Sequence, residues 1–433
     1  MKNALWTKVS WALYDWANSA FATTVMAGFF PLFFKSYWAN PDQPTRSTFY
    51  LGLANSLASI IIAAVAPFLG AMADQGGTKK KFLLTFTFLG IVMTGGLRLL
   101  EQGLWQMAIL FFLLANIGWS GANIFYDALL TNVASKKDAD FVSSLGYALG
   151  YIGGGLLFLL NVIMYLKFET FGFSDAASSI KFSFLSVALW WAIFSIPLWI
   201  YVKEPKTSHK LSFYLMIQRG WNQLKCTLRD LVHYRIVMLF LFAYWLYIDG
   251  VDTIVRMAVD YGKSLHFSDY TLISALLLVQ FVAFPAALAY SWVASKLGTK
   301  NAVLTGIIGY IFITFFGYFM KMEWHFFFLA VLVGIFQGGI QALSRSLYSR
   351  IIPLDKSAEF FGFYNMLGKF AAVLGPFLMG LVTVVSGNAR LGILSILLLF
   401  ISGGIVLWKV DIKKGEQLVE QSLTFTKTEN EDY

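Results

Sequence analysis

One loop occurs twice in this chain, and it constrains the fold more than any other feature. Gly70 to Phe82 reads GAMADQGGTKKKF between two long apolar stretches. Ser291 to Val303 reads SWVASKLGTKNAV, a weaker copy in which Gly77-Thr78-Lys79 returns as Gly298-Thr299-Lys300. Each copy joins the second and third apolar stretches of its half. The chain therefore reads as two related halves of six hydrophobic segments, a pattern that points to a secondary transporter.

The segments have membrane length. Hydrophobic residues make up 58% of the 433 and charged residues only 13%, about half the charge of an ordinary soluble domain. Apolar runs of roughly 20 residues are long enough to cross a hydrocarbon core as helices. They fall near 15–34, 49–72, 82–100, 105–130, 141–165, 181–202, 236–259, 270–293, 302–320, 325–348, 359–385 and 389–409. The expected fold is an all-α membrane protein of twelve transmembrane helices in two six-helix bundles. Residues 1–202 would form the first bundle, 203–235 a connector, 236–410 the second bundle and 411–433 a polar, disordered tail.

A net charge of +9 would suggest nucleic acid in a soluble protein, but its distribution excludes that partner here. With the amino terminus in the cytoplasm, 23 Lys and Arg fall on the cytoplasmic side and 8 on the other, while Arg256 and Lys369 lie inside helices. This positive-inside bias predicts that both termini are cytoplasmic. The 203–235 connector reads first as a solvated link between halves, with binding to anionic headgroups as the alternative.

Several chemistries find no basis. Cys226 is the single cysteine, so no internal disulfide is available. His209, His233, His266 and His325 show no ligand spacing, and neither metal nor cofactor is expected. There is no phosphate-binding GxxxxGK[ST] loop and no nucleophile–base signature of a membrane hydrolase, so the chain does not read as an enzyme. No cleavable signal peptide is evident.

Polar residues gather on single faces of four helices at 100° per residue. The first helix aligns Asp15, Asn18, Ser19 and Thr23; the fourth Asn116, Ser120, Asn123 and Asp127; the seventh Asp249, Asp252, Arg256 and Asp260; the tenth Gln337, Gln341, Ser344 and Arg345. Each is the first of a three-helix unit. Buried charge is costly in a bilayer and survives where it lines a cavity or pairs. The four helices are thus expected around a wet passage. The aliphatic twelfth helix and the sixth, with Trp190, Trp191, Trp199 and Tyr201, are expected against lipid. The fifth and eleventh are rich in glycine, which suits a sliding seam or ordinary close packing.

The loop GAMADQGGTKK resembles the signature of the major facilitator superfamily. WALYDWANSAFATT (Trp11 to Thr24), VSSLGYALGYIGGG (Val142 to Gly155), QGGIQALSRSLYSRIIP (Gln337 to Pro353) and FFGFYNMLGKFAAVLGP (Phe360 to Pro376) are similar to the branch of vacuole effluxers. That branch holds the autophagy-related vacuolar amino-acid exporters and their bacterial relatives. The chain departs from the superfamily pattern at Thr78, where Arg is usual, and its second loop has Ser295 where the first has Asp74. The resemblance implies a secondary transporter working by alternating access on an amino acid or related zwitterion, in a bacterial inner membrane. It also implies that Asp74 meets the start of the eleventh helix and gates.

Candidate roles follow from position. Asp74 gates or merely forms a turn beside two glycines. Asp249 and Lys369 lie about 13 and 10 residues into their helices, near the bilayer middle, as a coupling pair or a static salt bridge; Asp249 and Asp252 are also candidates to bind a substrate ammonium, and Lys369 or Arg256 its carboxylate. Arg256, four residues from Asp252 and Asp260, pairs within its helix or clamps a substrate anion. Asp15 and Asp127 share a depth with Arg345, where a cross-half contact would close an inner gate. Asn18, Asn116, Asn123, Gln337 and Gln341 are neutral groups at mid-depth suited to a polar solute. The expected partners are a small-molecule substrate, a coupling proton or sodium ion and membrane lipids, in a monomer. The competing functions are a carrier of lipophilic compounds and a transport-dead sensor.

Overall fold

A computed structural model describes residues 2–39, 44–204, 211–230 and 234–431. Among them are twelve helices long and apolar enough to cross a membrane. In order these spans are Leu5–Trp38, Phe49–Gly76, Lys79–Leu99, Trp105–Val133, Ala139–Leu166, Ala176–Tyr201, Arg235–Val259, Ser274–Leu297, Thr299–Tyr318, Glu323–Ile351, Leu354–Ser386 and Ala389–Lys409. The first is longer than its apolar run because polar residues from Leu5 onward continue the helix. It widens into π-helical turns at Phe21–Phe29 and Phe34–Trp38.

Local chemistry sets the ends. Asp175 accepts from the Ser178 backbone N–H at 2.6 Å and starts the sixth span, and Ser268 does the same for Thr271 ahead of the eighth. The two loop copies turn on glycines with left-handed backbone, Gly77 (φ 54°) and Gly298 (φ 82°). That explains why glycine stands in both. The lysine after each turn fastens a helix end. Lys80 donates to the carbonyls of Trp199 and Val202, the latter at 2.8 Å. Lys300 donates to those of Trp408 and Val410 at 2.6 and 2.8 Å. In space Lys300 therefore matches Lys80, one residue off the sequence alignment.

With Lys8 at 2.7 Å from Asp138, Thr299 donating to Asp140 at 2.8 Å and Lys136 at 3.0 Å from Glu420, these contacts place the loop copies, the ends of the sixth and twelfth spans, Lys8 and Glu420 on one face, here the terminal face. The halves meet along two seams, the second span on the eleventh and the fifth on the eighth. Glycine permits the approach: a methyl on Gly70 would overlap the Ala358 carbonyl, and one on Gly362 would lie 2.6 Å from the Ala66 carbonyl oxygen. Within the second half Gly339 leaves room only for the Tyr290 ring, and Gly338 meets Tyr151 of the first half, so Gly338-Gly339 serve packing.

Two expectations change. Phe213–Arg229 of the connector is a helix, with Met216, Gly220 and Thr227 packed down and Gly220 seated on the Met72 backbone. It is a docked element and not only a solvated link. The tail is likewise helical over Ile412–Glu431, where composition predicted disorder. Asp411 accepts from the Lys414 N–H at 3.1 Å and starts it. Trp191 also departs from its expected place at the lipid interface. It is fully buried, with Gly90 making room for its ring.

Candidate functional site

Arg345 of the tenth span crosses the interface between halves and is 2% exposed. Its Nη1 lies 3.0 Å from Asp127 Oδ1 and 3.6 Å from Asp15 Oδ2. Its Nε donates to Ser143 Oγ at 2.9 Å and its Nη2 to the Ser143 carbonyl at 3.0 Å. Rings of Tyr147, Trp11 and Tyr126 surround the guanidinium at 4.3, 4.9 and 5.3 Å. Asp127 also accepts from Asn365 at 3.0 Å, and Asp15 from Tyr126 at 3.2 Å. A buried charge is tolerated when paired and hydrogen-bonded on every side, and only Arg offers enough donors for this set.

Nearer the terminal face the halves are joined twice more. Asp74 accepts from the backbone N–H of Ala358 at 3.1 Å and of Glu359 at 2.8 Å, at the start of the eleventh span. Lys79 lies 3.2 Å from the same carboxylate and donates to Ser357. An anion here meets free N–H groups and the positive helix end. At the other seam the acid stands on the helix instead. Asp140 of the fifth span accepts from Thr299 at 2.8 Å and Ser346 at 2.7 Å, and lies 2.7 Å from Arg350. The second loop thus lacks an acid at Ser295 because Asp140 supplies one from across the seam.

The middle of the spans differs from the expectation. Asp249 and Lys369 form no ion pair. Asp249 is buried and accepts from the Gly375 N–H at 2.8 Å and from Thr253 Oγ1 at 3.2 Å, a tie between the seventh and eleventh spans just before Pro376. Lys369 lies 4.8 Å from the centre of the Trp119 ring on the fourth span. The charges that act on it are Arg256 and Asp252. Arg256 is exposed, three residues before the end of its span. Lys369 thus links the Trp119 ring of the first half with Asp252 and Arg256, which stand one helical turn apart on the seventh span. The side chain of Asp260 lies outside the described residues.

The neutral candidates separate. Asn18 donates to Asn123 at 2.6 Å, and Asn116 to Asn55 at 3.2 Å while accepting from Ser120. These bonds stay within the first half, and Asn116 turns to the second span and not toward the other half. Gln341 accepts from Tyr151 across the halves at 2.9 Å. Gln337 Oε1 is buried without a partner at the edge of an apolar cavity of about 110 Å³, walled by Ile254, Ala258, Val279, Leu329 and Met379 among others.

A family profile described as "Vacuole effluxer Atg22 like" matches residues 37–420. The chain belongs to the Atg22-like family. The MFS-type transporter YxiO of Bacillus subtilis is 38% identical over 92% of this chain and 93% of its own length. Autophagy-related protein 22 of Saccharomyces cerevisiae is 26% identical over 88% and 80%. Among solved structures, the proton:xylose symporter XylE superposes with a TM-score of 0.70 at 13% identity, covering 94% of each chain. A bacterial homologue of ferroportin in its outward-facing state gives 0.64 at 12%, covering 94% and 99%. This Atg22-like chain is thus a multi-pass membrane protein of the major facilitator superfamily, and its relatives are transporters and not enzymes.

Sequence reasoning missed Ser143, Tyr147, Asp140, Asn365 and Trp119. One signal was available for Asp140. Lys137-Asp138-Ala139-Asp140-Phe141 and Lys356-Ser357-Ala358-Glu359-Phe360 are a second internal repeat, at the starts of the fifth and eleventh spans. Ser143, Tyr147 and Asn365 lie within the segments that carry the resemblance, but nothing in those segments singles them out, and Trp119 had no signal.

Proposed function

We propose that this protein moves a small zwitterion, an amino acid or a close relative, by alternating access, and that the arrangement described is its outward-facing state. The observation that supports this is the contact of Lys369 with the Trp119 ring across the halves, with Asp252 and Arg256 of the seventh span within its electrostatic reach. This group holds charge of both signs and an aromatic face, with Lys369 well inside the eleventh span. A carboxylate would meet Arg256 and Lys369 and an ammonium Asp252, each by charge-assisted hydrogen bonds. The Trp119 ring offers a cation a further face.

The terminal face would be the cytoplasmic one, on the positive-inside bias. Closure there rests on Asp74, Arg345 and Asp140, and the exposure of Arg256 suits access from the other side. In this reading Asp15, Asp74, Asp127 and Arg345 gate, while Asp252, Arg256 and Lys369 bind. Asp249 remains the candidate for proton coupling, since protonation would weaken its tie to Gly375.

The test is thermal melting of the purified protein with amino acids, nucleosides, sugars and lipids. Binding of one class raises its Tm with concentration. Loss of an amino-acid response in Lys369→Ala with the unliganded Tm retained supports the reading. A response to sugars or nucleosides alone removes it. The apolar cavity beside Gln337 favours a carrier of lipophilic compounds as the second reading, and a response to lipids alone would select it.

A further inference from the structure

The connector helix Phe213–Arg229 has three faces. Met216, Gly220, Gln223 and Thr227 turn to the protein and pack on the second span. Arg219, Asn222 and Cys226 are exposed on a polar face. Phe213, Tyr214, Ile217, Trp221, Leu224 and Leu228 fall within about 100° of arc on a third. Their exposure is unusual for such side chains: Phe213 is 67% exposed, Tyr214 73% and Trp221 49%.

This apolar face is not isolated. Trp221 meets the ring of Phe68 edge-on at 5.8 Å. Phe68 continues the exposed stripe Leu53, Leu57, Ile60, Ile61 and Ala64 on the second span, which the bilayer covers. The apolar medium continuous with the connector face is therefore the membrane. The depth agrees, because Gly220 sits on Met72, four residues before the end of that span. The charges agree as well. Lys225 lies 5.3 Å from the Trp221 ring centre, and Lys225 and Arg229 flank the apolar face.

A fourth contact connects this helix to closure. Gln223 accepts from Gln75 of the first half and donates to Glu359 of the second, both at 2.5 Å. The bond to Glu359 crosses the seam that must part if the terminal face opens.

We propose that the connector helix lies in the headgroup layer, with its aromatic face at the acyl boundary and Lys225 and Arg229 on anionic lipid, and that Gln223 transmits this lipid contact to the closed terminal face. Amphipathic helices with aromatic residues on one face and cations beside it bind such surfaces, and each Lys or Arg near an anionic leaflet favours the bound form by roughly fivefold. The inference does not depend on the transported solute.

Cys226 permits a test on the intact protein. An environment-sensitive dye is placed on native Cys226, or on Tyr214→Cys in a Cys226→Ser background, in liposomes of phosphatidylcholine with or without phosphatidylglycerol. The Tyr214 label is expected to be quenched by doxyl lipid, more strongly with phosphatidylglycerol, and the Cys226 label by aqueous iodide. Lys225→Gln and Arg229→Gln are each expected to shift the Tyr214 label toward water by roughly fivefold with phosphatidylglycerol present. Spin labels at Lys81→Cys and Leu354→Cys report the seam. Phosphatidylglycerol should narrow their separation in the Cys226→Ser background and not when Gln223→Ala is added. Equal iodide quenching at both dye positions overturns the proposal. So does shielding of Tyr214 that needs a soluble protein fraction, or a seam indifferent to lipid charge.

Discussion

Arg345 Nη1 and Asp127 Oδ1 meet 3.0 Å apart, and the two residues belong to opposite halves. Removing the cation leaves Asp15 and Asp127 buried without their partner, a change that costs about 3–5 kcal/mol in comparable sites. Arg345→Ala is therefore expected to open the terminal face, read as a longer separation between spin labels at Lys81→Cys and Leu354→Cys. Arg345→Lys keeps the charge but loses the fork and the ring stacking, and should give an intermediate separation. Equal distances in all three proteins would show that this cluster does not hold the halves.

Gly70 gives a steric version of the same experiment. An added methyl meets the Ala358 backbone, which has no side chain to move aside. Overpacking of this kind costs about 1–3 kcal/mol. Gly70→Ala should lengthen the spin-label separation without altering any charge. An unchanged separation with a lowered Tm would mean that the second span distorts and the seam stays closed.

Asp74→Asn keeps the shape of the cap and removes its charge. Loss of the anion at the start of the eleventh span and beside Lys79 is expected to cost roughly 0.5–2 kcal/mol of closure. The effect should shrink if Lys79→Met is present, because removing the carboxylate then breaks no ion pair. Additive effects in the double variant would separate the two residues.

Asp249 and Asp252 are three residues apart, yet their surroundings differ. Asp249→Asn is expected to leave amino-acid binding measured by thermal shift within about threefold, since its carboxylate is tied to Gly375, and to abolish the pH-gradient dependence of counterflow if it carries the proton. Asp252→Asn should weaken binding by tenfold or more, a loss of roughly 1.4 kcal/mol. The reverse pattern would exchange the two roles.

The fold was readable because each of its signals is local. Each span and each polar face is complete within about thirty residues, and the loop copies are recognised by matching two short strings. The contact of Asp74 with the eleventh span followed from a resemblance, and the depth shared by Asp127 and Arg345 followed from counting residues. The pairing of Asp249 with Lys369 failed because depth does not fix direction around a helix. Lys369 turns to Trp119, while Asp249 turns to the backbone near Pro376. The connector was read from charge alone, although its apolar residues return every three or four positions. The tail was read from polarity, and the Asp411 cap that starts its helix was passed over.

Lys80 and Lys300 each bind the final carbonyls of the sixth helix in their own bundle. Neither bundle borrows from the other to finish its end. Covalent continuity ahead of the connector helix is thus a leash and not a keystone. Cutting the chain there should yield two co-expressed polypeptides that insert independently and reassemble by their glycine-lined edges.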